Sequence, residues 1–223
     1  MSFGNLQKIR DGKRTFGITP HIPGGFITTD IMQKIVDVAK KYDGVLKITS
    51  GQRILITNLK QEDLLIIWKE LGMEPAVRTQ NSVKNVEMCP AGYCKRSKFN
   101  TIGTGMKLSK KYQWMEVPCR TKIGVAGCRN ACGSVYSKDV GVIADKTGFI
   151  VTAGGSGGYN PRMSDIIAVD INEKQALNLV DSIFDYYKEN AEDGEKLGFF
   201  IDRIGLEKFK HEVLKGIEDS AKE

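Results

Sequence analysis

The residues best equipped for chemistry are five cysteines. Cys89, Cys94, Cys119, Cys128 and Cys132 fall within 44 of the 223 residues, and no cysteine lies outside that stretch. Four of them form two close pairs, Cys89-Pro-Ala-Gly-Tyr-Cys94 and Cys128-Arg-Asn-Ala-Cys132, with four and three residues between the thiols. Thiolate is a soft ligand shared by zinc and by iron–sulfur clusters, so ligand type alone leaves both open. Zinc ribbons favour tight knuckles around one ion, whereas a cluster accommodates wider pairs because its irons sit apart. A single buried cysteine is ordinarily a small hydrophobe; four in two close pairs point to a metal centre. Cys119 is left over, as a free thiol near the site. The odd count argues against a disulfide framework in a reducing compartment. Gly92, Gly124, Gly127, Ala131 and Gly133 crowd the same region, where small residues would let the backbone approach a bulky inorganic core. With only His21 and His211 in the chain, a histidine-rich metal site is excluded.

The elements that must position these thiols are readable from periodicity. A strand is expected over residues 14–22 and the turn Pro23-Gly24-Gly25 after it. A helix follows over the stretch FITTDIMQKIVDVAKKYDG, capped by Thr28 or Thr29 and ended by Gly44. Residues 45–50 and 53–59 read as a hairpin about Gly51-Gln52, and residues 61–72 as a second amphipathic helix. With a closing strand near 75–79, this order gives a compact ferredoxin-like unit. In the cysteine region a strand over 122–127 delivers Cys128, two strands flank the turn Asp145-Lys146-Thr147-Gly148, and a long helix runs from Glu173 to Ala191. Residues 195–223 are expected to be helical, charged and peripheral. The fold class is therefore α+β, with a first domain over 1–80 and a second, α/β domain carrying the cysteines over 81–223.

Composition narrows the function classes. With 41% hydrophobic and 27% charged residues the chain can bury a core, which excludes disorder. No apolar run approaches the roughly 18 residues of a membrane span, and the first residues lack the apolar stretch of a signal peptide, so a cytoplasmic protein without membrane association is expected. The net charge of +6 is spread out, dense only at residues 95–98, and aromatic residues are not interleaved with it as in a nucleic-acid stacking surface. The glycine-rich stretch 154–158 fits neither the spacing nor the strand–turn–helix context of a dinucleotide fingerprint, and reads instead as a turn approaching a cofactor. No flavin, nicotinamide or P-loop motif is present, so any electrons come from a separate protein.

Residues 122–158, KIGVAGCRNACGSVYSKDVGVIADKTGFIVTAGGSGG, resemble the second cysteine motif of siroheme-containing sulfite and nitrite reductases, through Gly127, Cys128, Asn130, Cys132, Asp139-Val140-Gly141 and the glycine run. The stretch IPGGFITTDIMQKIVDVAKKY followed by LKITSGQRILI is similar to the ferredoxin-like half-domain of the same family. Its Gly51-Gln52-Arg53 form is nearest to that of the large subunit of assimilatory nitrite reductases. Two motifs in family order span residues 13–158. There are departures. The family's first cysteine pair usually encloses five residues where this chain has four. Longer members repeat the half-domain, and this chain resembles the small single-copy reductases. Arg53 fits a substrate-gripping position, while His21 and Thr19 stand where arginines are often found.

The resemblance implies a [4Fe–4S] cluster on Cys89, Cys94, Cys128 and Cys132, with Cys132 bridging to a siroheme. It also implies a six-electron reduction of sulfite to sulfide or nitrite to ammonia. Arg53, and His21 as a proton donor, would serve the oxyanion. Asn130 belongs to the cofactor motif, and the siroheme carboxylates call for a basic pocket, drawn from Lys95, Arg96, Lys98, Arg120, Lys122 and Arg129. A ferredoxin or another low-potential carrier would supply electrons, and a homo-oligomer or partner subunit could cover the open side of the siroheme. The competing implication is an iron–sulfur electron-transfer protein or reductase subunit without siroheme.

Overall fold

The computed structural model describes residues 4–10 and 12–220. The chain divides into two compact units, Met1–Arg78 and Thr79–Glu223.

The first unit is a four-stranded antiparallel sheet in the order β1-β2-β4-β3, built from β1 (Asn5–Arg10), β2 (Lys13–Ile18), β3 (Val45–Ile48) and β4 (Ile54–Leu59). Helices α1 (Thr29–Lys41) and α2 (Leu64–Leu71) pack against it, burying Ile18, Ile54 and Ile56 of the strands with Ile35, Val38, Ile67 and Leu71 of the helices. Thr28 is the α1 cap, its hydroxyl accepting the Ile31 N–H at 3.3 Å, which satisfies an otherwise orphaned donor. Gly72 ends α2 in the left-handed conformation, at φ 59°. The expected closing strand at 75–79 is not formed. Proline has no N–H to donate to a ladder, so Pro75 makes only an isolated bridge with Pro20, flanked by His21 N–H to Glu74 O (2.8 Å) and Ala76 N–H to Thr19 O (2.9 Å). The fourth strand is β1, whose mostly exposed residues give little apolar signal.

The second unit is a five-stranded mixed sheet in the order β5-β6-β7-β8-β9: β5 (Val83–Met88), β6 (Thr121–Ala126), β7 (Val140–Ala144), β8 (Phe149–Ala153) and β9 (Asp165–Ile171). Strands β5, β6 and β7 run parallel, and β8 and β9 are antiparallel additions. One face is covered by α3 (Ile102–Tyr112), which presses Gly105 onto Met88, and by α4 (Glu173–Asn190). The two helices are tied together by Tyr112 stacked on Phe184 (4.7 Å between ring centroids), by a Tyr112–Asp181 hydrogen bond, and by Thr104 and Lys107 on Glu173. Asn172 and Gln175 cap α4 reciprocally. The opposite face is covered by the segment leaving Cys128, with Ala131 and Val135 packed on Ala126, Ile143 and Ile150.

The C-terminal region is helical as expected, but it is not peripheral. In α5 (Leu197–Ile204) and α6 (Leu206–Ser220), Phe200, Ile201, Phe209 and Val213 are wholly buried, and Phe200 meets Tyr187 and Phe209 ring to ring. Asp202, Arg203, Glu207 and Lys208 are exposed on helices whose inner faces complete the core. Phe200→Ala should therefore lower the stability of the second unit by about 3–5 kcal/mol in urea denaturation. Tyr159→Ala, at a solvent-exposed position, should change it by under about 0.5 kcal/mol.

Candidate metal centre

Because β5 and β6 are parallel and in register from Val86↔Ile123 to Met88↔Val125, they end at the same edge of the sheet. Cys89 follows the last residue of β5, and Cys128 stands two residues past β6. The pairing continues beyond the strands: Cys89 N–H donates to Val125 O at 3.0 Å, and Gly127 N–H donates to Cys89 Sγ at 3.1 Å. A tight turn, Ala91–Tyr93, leads to Cys94, and the chain returns so that Lys98 N–H reaches Gly127 O at 2.6 Å. Ser97 Oγ bonds both Phe99 O (2.6 Å) and Gly127 O (3.2 Å), riveting the first cysteine loop onto the second.

Gly127 is required at this junction. A Cβ there would run into Ser97 Oγ and stand 2.7 Å from Ala91 Cβ. The crowding at Gly127 and Gly124 thus comes from the chain's own side chains rather than from an inorganic group. Gly133 is different, with no atom within 4 Å of where its Cβ would be, which leaves space open beside Cys132. Ala131 takes a left-handed φ of 44° and Ser134 one of 54°, so the loop carrying Cys132 is sharply turned on both sides of the thiol.

The four paired thiols share one electrostatic environment. Burial pushes the Cys89 thiol above its ordinary pKa, Cys128, Cys132 and Cys94 act in the same direction, and only the Gly127 N–H opposes them. An iron cluster reverses this balance, since its positive irons stabilise the thiolates that otherwise repel one another. Asn130 Nδ2 donates to Cys132 Sγ at 2.9 Å, a hydrogen bond that favours a thiolate there, as a cluster ligand requires. Cys119 is not part of this group; it lies beside Tyr187, whose hydroxyl bonds Glu195 O at 2.5 Å.

The other expected residues divide. Lys95, Arg96 and Lys98 are solvent-exposed just after Cys94; Arg120 is exposed too, but it precedes Thr121, the first residue of β6, and so stands at the opposite edge of the sheet from Cys128. Arg129 is engaged with Asp145 at 2.5 Å, and Lys122 faces Glu87 at 3.9 Å. The five glycine-run residues 154–158 serve in part the packing of the chain itself: Gly155 lies against Tyr136 O and Lys138, and Gly154, at φ 85°, against Gly198 of α5.

In the first unit, Arg53 closes the β3–β4 hairpin. The turn is Thr49 to Arg53, fixed by Thr49 N–H to Arg53 O at 2.8 Å, and Gln52 rather than Gly51 holds the left-handed conformation, at φ 56°. A Cβ on Gly25 would stand 2.9 Å from Gln52 Cβ, so the Pro23-Gly24-Gly25 turn and the hairpin turn are in contact. His21 lies beside Arg53 and also beside Arg78, a residue not anticipated from the sequence. Burial first, then the Arg53 and Arg78 charges, lower its pKa from 6.5 to about 4, with Glu74 partly opposing. His21 is thus neutral at pH 7 within a cationic cluster.

Two expectations follow. Gly127→Ala should separate the cysteine loops and lower the iron and sulfide retained per chain, measured by metal analysis after anaerobic purification. For His21, the unfolded chain takes up a proton near pH 6.5 and the folded one only near pH 4. Unfolding therefore binds protons between these values, and the first unit should lose stability as pH falls from 6.5 towards 4 and be flat above. Denaturation of His21→Gln across the same range should show that component of the slope removed.

Residues 7–74 match the nitrite/sulfite reductase ferredoxin-like half domain, and residues 75–220 match the nitrite and sulphite reductase 4Fe-4S domain. An assimilatory-type sulfite reductase of Nitratidesulfovibrio vulgaris is 29% identical over 204 residues, covering 91% of this chain and 94% of that protein. An NAD(P)H nitrite reductase of Emericella nidulans is 34% identical over 216 residues, covering 94% of this chain but only 19% of the larger protein. The fold is shared with the Mycobacterium tuberculosis NirA protein at a TM-score of 0.79 and 15% identity, over 94% of this chain and 42% of that one. No helix among the described residues is long and apolar enough to cross a membrane. The paired thiols at the ends of β5 and β6 thus belong to a [4Fe–4S] domain, and the chain is a member of the nitrite and sulfite reductase family.

Proposed function

We propose that this chain reduces sulfite to sulfide or nitrite to ammonia, using a [4Fe–4S] cluster and a siroheme, with electrons from a ferredoxin or another external low-potential donor. The observation that carries the reading is the placement of Cys89 and Cys128 at the adjoining ends of two parallel strands, in a chain of which 91% aligns with 94% of an assimilatory-type sulfite reductase. Cys89, Cys94, Cys128 and Cys132 would hold the cluster, with Cys132 the thiolate shared with siroheme. Bound together, the two groups would supply the electron storage that a six-electron reduction demands and no side chain can provide.

The chain's own residues supply charge and protons. Arg53, pinned by the Thr49 turn, neutralises the oxyanion, and Arg78 adds a second positive charge near His21. An anion held by these arginines would offset their repulsion, which after burial is what lowers the His21 pKa. The imidazole could then take up a proton and pass it to a departing oxygen. Lys95, Arg96 and Lys98 would meet the siroheme carboxylates, while Lys122 and Arg129 contribute less because Glu87 and Asp145 already face them, and Arg120, before the start of β6, stands at the opposite edge of the sheet from Cys128. A second reading, an iron–sulfur electron-transfer protein or subunit without siroheme, is favoured by the single ferredoxin-like half domain.

The visible spectrum and metal content of protein purified without air from cells that make siroheme separate the two. Siroheme absorption with iron, sulfide and turnover of sulfite or nitrite is the expected result; iron and sulfide without siroheme would support the electron-transfer reading, and zinc alone would sink both. In the loaded protein Arg53→Ala should lower kcat/KM by about 10²–10³-fold, the range for removing one charge-stabilising donor. Its spectrum should be unchanged.

A further inference from the structure

Beneath the cysteine loops lies a buried ion pair that the metal site itself does not use. Glu87 of β5, Gly124 of β6, Gly141 of β7 and Thr152 of β8 are register partners, forming one row across the sheet. The two glycines open a trough in that row, which Val135 and Lys138 fill. A Cβ on Gly124 would come within 2.9 Å of Lys138 Cγ, and one on Gly141 within 2.7 Å of Val135 Cγ1. Along the trough Lys138 Nζ reaches Glu87 Oε2 at 2.6 Å, with the two side chains 10% and 3% exposed. Lys122 Nζ approaches the other oxygen, Glu87 Oε1, at 3.9 Å.

The place of this pair in the chain gives it a consequence. Glu87 stands two residues before Cys89, and Lys138 six after Cys132. From Cys128 to Lys138 successive turns are closed by backbone hydrogen bonds, Ala131 N–H on Cys128 O (3.1 Å), Ser134 N–H on Ala131 O (2.9 Å), Ser137 N–H on Ser134 O (3.0 Å) and Lys138 N–H on Val135 O (2.9 Å), so the turn around Cys132 is tied to Lys138. A shift of Lys138 is therefore passed to Cys132. Hydrophobic side chains of similar volume could fill the same trough at little or no cost in stability, because a buried ion pair recovers little more than its desolvation. A salt bridge at this point is accordingly better explained by the geometry it imposes than by stability.

We propose that Glu87 and Lys138 are a positioning pair, fixing the Cys128–Cys132 loop against the strand that carries Cys89 so that the spacing of the two thiol pairs is set before the cluster enters. This rests on the four-thiol cluster reading. The test compares wild type, Glu87→Gln and the double variant Glu87→Met/Lys138→Met. Each is reconstituted with ferrous iron and sulfide and followed by urea denaturation of the cluster-free chain, by cluster loss to a chelator and by the EPR spectrum of the reduced cluster. The double variant should unfold near the wild-type urea midpoint, lose its cluster about 10- to 100-fold faster, as when partners behind metal ligands are removed, and show a shifted EPR signal. Glu87→Gln, which keeps the side-chain size, should show the same cluster defects and serves if the double variant does not fold. Wild-type rates and an unchanged EPR signal in the variants would overturn the positioning role alone. A wild-type chain that takes up no iron and sulfide would overturn the cluster reading with it.

Discussion

The second unit depends on the parallel pairing of β5 and β6. Parallel strands end at the same edge of a sheet, and in an open α/β sheet that edge is where ligands bind. Two cysteines placed just past the ends of neighbouring parallel strands are brought together by backbone hydrogen bonds alone, before any side chain contributes. Everything else at the centre refines that placement. Gly127 N–H bonds the Cys89 sulfur, Ser97 bonds across the junction, and Asn130 orients toward Cys132. Each N–H directed at a sulfur also favours negative charge there, so the hydrogen bonds that hold the loops in place tune the site's electronics as well.

The first unit works by a different constraint. Its antiparallel hairpin closes in a turn that puts Gln52 in the left-handed region, a conformation that disfavours a side chain with a Cβ. The turn is held by Thr49 on one side and by contact with the Gly24-Gly25 bend on the other. Strain of that kind persists only where the surroundings overdetermine it, and here it fixes the backbone of Arg53, the residue offering charge to an anion. Burial first and the arginine charges second hold the His21 pKa down, so the charges that would attract an oxyanion also bear on the protonation state of its neighbour.

Much of this was legible in the sequence because the signals were local. Thr28 before an amphipathic run, Gly51-Gln52 between β-branched segments and Asp145-Lys146-Thr147-Gly148 between two apolar strands each specify their element through nearby atoms. The strand leading to Cys128 was legible because it is a short apolar run. What escaped depends on distant partners. Strand β1 has few buried residues, Gly103 and Gly105 lower the helical signal of α3, and Pro75 cannot sustain the strand expected there. The Phe200 and Phe209 faces were hidden among charges that point outward. Glu87 looked like one more alternating polar residue of β5, since nothing in its neighbourhood names Lys138 as its partner.

The burial of α5 and α6 bears on how the protein is made. A chain emerges from synthesis N-terminus first, so all four paired cysteines are exposed to solvent well before Phe200, Ile201, Phe209 and Val213 exist to close the core behind them. The sheet that aligns the thiols cannot reach its final packing until those last helices arrive. The core behind the thiol-bearing sheet is thus closed by the last part of the chain to be made.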